Sequence, residues 1–298
     1  GVDAVAIVRP FTRGPESAIQ LQLRDMFPRA EVVLVEHHLA HAASAWYASG
    51  FDEGVVLTLD RNGDFRCAAR WLGSGRRLTL DKELYHPDSL GDLYGRLTSL
   101  LGFEANADEH KVQWLSTSGD DRYRQLFLEI LSPRDGGWPR IDRTFFHGER
   151  LSGGGFSAKF YKRLGLKEGD EVPVAMKASL AAGLQRALEA AVIEMAGQGE
   201  NLCLAGGLAL NVLLVDALER CGRWKNVFVQ PAAGNSGTAL GAVYYAWHQV
   251  FHQSKRVPPV DLCLGRAYSA EEIKQVLENC KLNFRYLLTT GELIETAV

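Results

Sequence analysis

The chain has 298 residues, of which 46% are hydrophobic and 23% are charged, and its formal net charge is −3. This composition supports a full apolar core and lacks the basic excess that generic nucleic-acid binding requires. No signal-peptide pattern and no apolar run of about 18 residues occurs, and the five cysteines form no C-x-x-C pair, so we expect a cytoplasmic protein with reduced thiols and no membrane span.

The first segments alternate between apolar runs and helical periodicity. Val2–Val8 and Ala30–Val35 are predicted as strands, Glu16–Phe27 as an amphipathic helix, and Ala40–Ser49 as a helix of small residues. The pattern places a strand, a polar turn and a helix in succession. This order commonly brings ligands to the C-terminal edge of a sheet.

Three histidines lie where this last helix begins. His37 and His41 are four residues apart, so their imidazoles share one helix face and can converge on one metal ion. A single histidine here is more often a cap or a core residue. The addition of His38 within the same five residues favours a site, and its spacing also permits a role as general base.

A hairpin is predicted next. The strands Gly54–Leu59 and Arg66–Leu72 flank the segment Asp60–Asp64, whose Asn62-Gly63 pair favours a tight turn. A plain hairpin is the simpler interpretation. Asp60, however, directly follows a fully apolar strand, a position from which side chains reach ligand crevices.

The middle of the chain is predicted to contain two helices, Leu90–Leu101 and Arg122–Leu131, followed by an irregular surface excursion over Ser132–Phe156 that is rich in Gly, Pro and Arg. The charged segment Glu109–Lys111 lies between the two helices. It is a secondary candidate for a polar site, the alternative being a solvated loop.

The second half contains two strand-glycine-helix units after a long Ala-rich helix. The predicted segments are the helix Pro173–Ala196, the strand Asn201–Ala205, the turn Gly206-Gly207, the helix Leu208–Arg220, the strand Asn226–Val229, the loop Gln230–Asn235 and a helix from Ser236. Glycine-bearing turns of this kind let a phosphate approach backbone amides at a helix N-terminus, although they also permit tight packing. Two such turns in succession favour a phosphate or nucleotide crevice.

A second unit is predicted after the segment Val257–Val260, which reads as a linker. It comprises a strand over Asp261–Leu264, a helix over Ala270–Cys280 and a strand over Phe284–Leu288. Because the chain opens within a strand and closes within the first turns of a helix, we expect a fragment of a longer enzyme, incomplete at both ends.

Several of these segments together resemble a known family. They are His37-His38-Leu39-Ala40-His41-Ala42, Thr58-Leu59-Asp60, Leu204-Ala205-Gly206-Gly207-Leu208-Ala209-Leu210-Asn211 and Gln230-Pro231-Ala232-Ala233-Gly234-Asn235-Ser236-Gly237-Thr238-Ala239-Leu240-Gly241-Ala242. In this order they resemble the O-carbamoyltransferase family of nodulation and antibiotic biosynthesis, of the NodU/CmcH type.

The resemblance implies an α/β chain with the actin-like ATPase (ASKHA-type) fold, with mixed sheets and flanking helices. Residues 1–257 would form a carbamoyl-transfer domain without its N-terminal part, and residues 258–298 would begin a C-terminal domain that makes carbamoyl-adenylate from carbamoyl phosphate and ATP. The implied reaction transfers the carbamoyl group to a hydroxyl of a small-molecule acceptor. A homodimer is one option for the assembly.

The resemblance also implies a site. His37, His41 and Asp60 would bind a divalent metal, with iron preferred over zinc, and Asp60 would also take part in catalysis together with His38. The implied residues for ATP or carbamoyl-adenylate are Gly63, Gly206, Gly207, Asn211, Gly234, Ser236 and Gly237. The family usually has Asp at the fourth metal position, where this chain has Asn235, and Gly where it has Arg61.

Two other classes of function stay open from the residues alone. A metal-dependent hydrolase could use the H-x-x-x-H pair, although it would normally require a glutamate beside the first histidine, and Glu36, which precedes it, is expected to end the strand instead. A non-catalytic nucleotide-binding scaffold is the other alternative, since an amide at Asn235 is a weaker metal ligand than a carboxylate.

Overall fold

We describe a computed structural model of the chain, which covers residues 1–8, 16–132, 138–148, 150, 152–256 and 265–298. Contacts within the chain divide it into two units, Gly1–Pro258 and Pro259–Val298. Each unit is described by itself.

The first unit contains all the strands found in the described residues. They are β1 (Ala4–Val8), β2 (Glu31–Val35), β3 (Glu53–Gly63), β4 (Arg66–Ser74), β5 (Arg77–Tyr85), β6 (Gly199–Ala205) and β7 (Trp224–Val229). Its α-helices are α1 (Glu16–Met26), α2 (His37–Ser49), α3 (Leu90–Leu100), α4 (Glu109–Ser116), α5 (Arg124–Ile130), α6 (Ala158–Arg163), α7 (Val174–Ala196), α8 (Val212–Arg220) and α9 (Ser236–Tyr245). Short 3₁₀ segments cover Arg143–Phe145 and Gly207–Leu210, and a π-helical turn covers Ala246–Val250.

The main sheet is mixed and has the strand order β5-β4-β3-β6-β7. Strands β3, β4 and β5 form an antiparallel meander, whereas β3, β6 and β7 run parallel, with Thr58 of β3 opposite Ala205 of β6. Strands β1 and β2 form a separate parallel pair. The prediction of an α/β chain with mixed sheets and flanking helices is confirmed.

Both faces of the main sheet are covered. Because side chains alternate along a strand, Leu57 and Leu59 of β3 enter one large core with helices α3, α5 and α7, while Val56 enters a smaller core on the other face. Helix α2 covers that other face and is buried on nearly all sides, including Trp46 and Tyr47 at 0% exposure. A helix of small and apolar residues is the type that tolerates such burial.

Helix α9 packs directly on helix α2. A Cβ atom at Gly241 would lie 1.8 Å from the backbone oxygen of Ala40, so only glycine permits this approach. Gly237 is buried as well, and a Cβ atom there would lie 2.0 Å from the backbone oxygen of Ala232 in the preceding loop. The approach fixes the two helices that follow strands β2 and β7.

Several sequence predictions need correction in the first unit. The hairpin is present, but its turn lies at Asp64 and Phe65, both with positive φ, because β3 continues through Gly63. Strand β5 and helices α4 and α6 were not predicted, and the charged segment Glu109–Lys111 forms the first turn of α4 rather than a loop. The predicted helix Leu208–Arg220 is divided by Asn211 into a 3₁₀ turn and helix α8.

The second unit contains two helices in its described part, α10 (Ala270–Asn279) and α11 (Thr290–Ala297). The predicted strand Phe284–Leu288 is wrong, because this segment has no strand pairing and is mostly exposed. The predicted linker and the predicted strand Asp261–Leu264 lie outside the described residues. Within the described ranges, no helix has the length and apolarity needed to cross a membrane.

Candidate metal and nucleotide site

The N-terminus of helix α2 is capped by a carboxylate. The Glu36 side chain accepts hydrogen bonds from the backbone N–H groups of His38 and Leu39, at 3.0 and 2.9 Å, and also pairs with Arg66 at 2.8 Å. These contacts satisfy two of the N–H groups that a helix start leaves unpaired. The cap therefore holds the first turn of α2, which carries the histidines, against strand β4.

His37 and His41 converge on one carboxylate oxygen. The Nε2 atoms of His37 and His41 lie 2.9 and 3.2 Å from Oδ2 of Asp60. Their ligand atoms all lie within 4.8 Å of one another, and the rings meet edge to face with centroids 4.7 Å apart. His41 is fully buried, while His37 and Asp60 are about 15% exposed at the side chain. The structure thus brings together three of the four predicted metal ligands.

Asp60 occupies an irregular part of strand β3. The pairing register with β4 shifts between Leu59 and Gly63, and such bulges re-aim side chains near functional sites. Gly63 then packs behind the first histidine, because a Cβ atom there would lie 2.0 Å from Cδ2 of His37. Its observed contact is with this imidazole, and its part in nucleotide binding stays a prediction.

Electrostatics favour the ionised form of Asp60. Burial opposes ionisation, but hydrogen bonds from His37 and His41 and the charges of these rings outweigh it, so the pKa of this carboxyl falls well below its usual range. A carboxylate kept ionised beside two imidazoles is the form that binds a metal.

His38 points the other way, into the protein interior. Its Nε2 lies 3.0 Å from the backbone oxygen of Arg66 and its Nδ1 lies 2.9 Å from the hydroxyl of Thr58. Burial, followed by the charges of His37 and His41, lowers the pKa of His38 to about 3, so the ring is neutral. Because a carbonyl only accepts, Nε2 carries the proton and Nδ1 faces Thr58.

This position does not suit the predicted general base. The side chain is 0% exposed, and its basic nitrogen is directed at a core hydroxyl rather than at a cavity. His38 instead links helix α2 to strands β3 and β4. Its contacts position the two histidines that flank it.

The glycine pair after strand β6 lies against Asp60. Gly206 has φ +95°, and a Cβ atom there would lie 2.1 Å from the backbone oxygen of Leu59. At Gly207 a Cβ atom would lie 3.2 Å from Oδ1 of Asp60. The parallel strands β3 and β6 therefore end side by side, and their ends bring the first predicted nucleotide turn into contact with the predicted metal ligand.

Asn211 is buried and its polar atoms are already paired. Its Oδ1 accepts from the N–H of Leu214 at 3.0 Å and so caps helix α8, and its Nδ2 donates to Gln185 at 2.9 Å. The hydroxyl of Tyr94 donates to the same oxygen of Gln185 at 3.0 Å. Asn211 thus joins helices α3, α7 and α8 in one network.

The second glycine turn precedes helix α9. Gly234 is half-buried and has room for a Cβ atom, whose nearest neighbour would be Leu210 at 3.7 Å. Asn235 and Ser236 are exposed, and the side chain of Asn235 makes no capping hydrogen bond. The side chain of Asn235, the fourth predicted metal ligand, is therefore not held in place by local contacts.

A cavity of about 380 Å³ opens beside Asp60, and we call it the Asp60 cavity. Its lining residues are Asp60, Arg61, Gly91, Tyr94, Asn106, Ala107, Glu109, His110, Gln113, Gly207, Leu208, Leu210 and Asn211. This volume is in the range of small-molecule sites, about 300–1,000 Å³. The cavity gathers Asp60, Gly207 and Asn211 from the predicted site.

Other lining residues were not predicted, or were only secondary candidates. Glu109 and His110 enter the cavity wall from α4, whereas Lys111 pairs with Asp108 at 2.8 Å outside it. The sequence marked Arg61 only as a departure from the family pattern. Tyr94 belongs to the apolar face of helix α3, and nothing in the sequence marked it as a site residue. These residues come from distant parts of the chain, so no local pattern could group them.

The donors present fit a divalent transition metal. Two imidazoles and one carboxylate form the set that non-haem iron sites use, and zinc accepts the same ligands. One observation supports an ion here in particular: two imidazole nitrogens crowd around a single carboxylate oxygen in a largely buried position. Nδ1 of His41 is buried and has no hydrogen-bond partner in the part of the chain that the structure describes.

Comparison with known sequences gives consistent matches. The sequence profile of the family described as Carbamoyltransferase N-terminus matches residues 14–244. An uncharacterized protein of Synechocystis sp. is 35% identical over 259 residues, which is 82% of this chain and 42% of that protein. The nodulation protein NolO of Bradyrhizobium diazoefficiens is 34% identical over 215 residues, or 70% of this chain and 37% of that protein. The chain spans less than half the length of these curated relatives.

Solved structures show weaker global similarity. HypF of T. kodakarensis overlaps 84% of this chain and 41% of its own, with a TM-score of 0.45 and 14% identity. Component A of the (R)-2-hydroxyglutaryl-CoA dehydratase of Acidaminococcus fermentans overlaps 76% of this chain and 73% of its own, with a TM-score of 0.47 and 14% identity.

Proposed function

Because this chain belongs to the family described as Carbamoyltransferase N-terminus, we propose that it is the part of a carbamoyltransferase that moves the carbamoyl group from a carbamoyl-adenylate to a hydroxyl of a small-molecule acceptor. The adenylate would be made from carbamoyl phosphate and ATP, and the actin-like ATPase fold is the arrangement expected for such a domain. The observation that carries the proposal is that three potential metal ligands, His37, His41 and Asp60, meet a glycine turn at the edge of one cavity.

His37, His41 and Asp60 would hold the metal in this proposal. A divalent ion bound there would supply Lewis acidity and offset negative charge on the nucleotide phosphate. Asp60 stays ionised next to both histidines. His38 holds the first turn of helix α2 on the hairpin, so that His37 and His41 keep their orientation.

The nucleotide would occupy the Asp60 cavity. Gly206 lets the turn lie against the backbone of Leu59, and Gly207 lines the cavity beside Asp60, where a phosphate would approach the backbone. Asn211, Gln185 and Tyr94 keep the cavity wall rigid through their hydrogen bonds. The exposed N-terminus of helix α9 at Ser236 would add a favourable dipole of about 0.3–1 kcal/mol if a phosphate lies near it.

Metal content and nucleotide binding test the proposal together. The purified wild-type chain, His41→Ala and Asn235→Asp are analysed for iron and zinc, and ATP is titrated into each by calorimetry. We expect about one equivalent of metal in the wild type, none in His41→Ala, and tighter retention in Asn235→Asp, because a carboxylate is a stronger ligand than an amide. ATP should bind to the wild type.

The other outcomes separate the alternatives. Nucleotide binding without metal would favour a non-catalytic scaffold, and metal without nucleotide binding would favour a metal-dependent hydrolase. A chain that binds neither would contradict the proposal. If Asn235→Asp leaves metal affinity unchanged, position 235 is not a ligand.

A further inference from the structure

A second cavity, of about 270 Å³, lies outside the proposed site. Its lining residues are His86, Pro87, Asp92, Leu93, Arg96, Ile141, Arg143, Phe146 and Gly148, and none of them lines the Asp60 cavity. We call it the Arg143 cavity. Its walls come from the turn before helix α3, from α3 itself and from the segment after Trp138.

Hydrogen bonds tie these walls together. Oδ1 of Asp88 accepts from the N–H of Ile141 at 3.0 Å, and Nη2 of Arg96 donates to the oxygen of Gly148 at 3.2 Å. Both contacts join the segment 141–148 to residues next to or within helix α3. The cavity is therefore enclosed by connected walls rather than by an unattached loop.

The charges around the cavity are unbalanced. Among the described residues, Asp92 is the only carboxylate that lines the cavity, and it is shared: Oδ2 accepts from Arg96 at 2.7 Å and Oδ1 accepts from Arg61 at 3.2 Å. Arg143 is exposed, and its guanidinium has no hydrogen bond or ion pair in the described parts of the chain. The neighbouring Asp142 is engaged by Lys159 at 3.0 Å. Two guanidinium groups thus share the carboxylate of Asp92, and Arg143 adds a third guanidinium to the cavity lining without a carboxylate of its own among the described residues.

His86 adds a further polar group to the cavity lining. Nη1 of Arg96 is fully buried beside Gly155, so this nitrogen is not itself open to the cavity. The ring of His86 also lines the cavity and makes no side-chain hydrogen bond among the described residues. Guanidinium groups recognise carboxylates and phosphates through paired N–H donors.

The remaining wall is apolar. Pro87, Leu93 and Ile141 line it together with Phe146, whose ring lies 5.5 Å from the guanidinium carbon of Arg96. A flat hydrophobic body can pack against these side chains while an acidic group meets Arg143. The volume lies just below the usual range for ligand sites, about 300–1,000 Å³, and suits a small molecule.

We propose that the Arg143 cavity is a binding site for a small organic anion that combines a carboxylate or phosphate group with an aromatic or other flat apolar body. This site is separate from the proposed carbamoyl-transfer site and does not depend on that function. Because Asp92 contacts both Arg61 and Arg96, it lies between the two cavities.

Calorimetric titration with three probes tests the site. Phenyl phosphate and benzoate carry the two candidate acidic groups, and benzyl alcohol is the neutral control. We expect saturable binding of at least one anion, and no measurable binding of benzyl alcohol. Whichever anion binds more tightly identifies the acidic group that the site prefers.

Two arginine variants locate the binding. Arg143→Ala should weaken anion binding by about tenfold or more, because it removes charged donors from the cavity. Arg140→Ala removes the same charge three residues away, from a side chain that does not line the cavity, and should change affinity by less than about twofold. Arg143 is exposed, so its replacement should leave folding intact.

Three results would overturn the inference. They are the absence of saturable binding for both anions, equal affinity for benzyl alcohol, and equal effects of Arg143→Ala and Arg140→Ala. The last result would assign binding to general electrostatic attraction or to another surface.

Discussion

The N-terminal ends of helices α2 and α9 differ in how their side chains are held, although the two helices pack against each other. At α2, Glu36 caps the helix, and His37 and His41 meet Asp60 within hydrogen-bond distance. At α9, Asn235 is exposed and makes no capping bond. Both ends were predicted to supply metal ligands.

The difference shows where pre-organisation comes from. Helix α2 lies on the sheet, so the turn after strand β3 and the hairpin surround its first residues. Helix α9 packs on α2 and on strand β1 of the separate pair, and Asn235 and Ser236 at its start are exposed. The same kind of strand-to-helix connection therefore yields a fixed cluster in one place and an adaptable side chain in the other.

Replacement of Gly241 should have the largest effect, because it forces the two helices apart. In Gly241→Ala the new methyl group would meet the oxygen of Ala40, and we expect a loss of about 3 kcal/mol or more in the free energy of unfolding, despite the better helix propensity of alanine. Urea unfolding measures this change in the free energy of unfolding. Gly234→Ala, whose methyl group has room, is the control and should change stability by less than about 1 kcal/mol. Equal stability of both variants would show that α2 and α9 do not pack as described.

Replacement of Gly63 should affect the N-terminus of helix α2 and leave that of helix α9 unchanged. The methyl group of Gly63→Ala would displace the ring of His37, and we expect metal affinity to fall by about 10–100-fold, the size typical of disturbed ligand orientation. Competition with a chelator measures the affinity. Gly95→Ala adds a methyl group at ordinary contact distance and should retain wild-type affinity. Unchanged metal binding in Gly63→Ala would remove His37 from the ligand set.

Replacement of the residue that precedes each helix, Glu36 for α2 and Asn235 for α9, compares the contributions of the two N-termini to stability. Glu36→Ala deletes two hydrogen bonds to backbone N–H groups and an ion pair, and should destabilise the protein by about 1–2 kcal/mol. Asn235→Ala deletes a side chain without such contacts and should cost less than about 0.5 kcal/mol. Thermal or urea unfolding of the pair measures both. Similar losses would mean that Asn235 is held by contacts of comparable strength.

Much of the site could be predicted from local sequence. The spacing of His37 and His41 puts their side chains on one helix face, and the glycines at 206 and 207 mark a strand-to-helix turn. The position of Asp60 after an apolar strand also predicted its place at a sheet edge. Each of these inferences depends on geometry within a few residues.

Other parts could not be predicted in this way. The sequence pattern paired His37 with His41 but left His38 open between a structural role and that of a general base, whereas the bulge in β3 and the pairing with β4 direct the ring of His37 to Asp60 and that of His38 to Thr58. Gly63 has a packing role behind His37 that only the folded hairpin creates. The predicted strand Phe284–Leu288 failed because β-propensity without a pairing partner does not make a strand.

The sequence alone determined the α/β class, the helix that carries the histidines, and the two glycine turns, because period, spacing and backbone freedom are local properties of the chain. The tertiary structure decided which side chains share a cavity. Arg61, Tyr94 and Glu109 join Asp60 only after β3 has paired with β6 and helices α3 and α4 have packed nearby. Long-range strand pairing and helix packing depend on the whole core. They cannot be read from the spacing of residues within a short segment of the sequence.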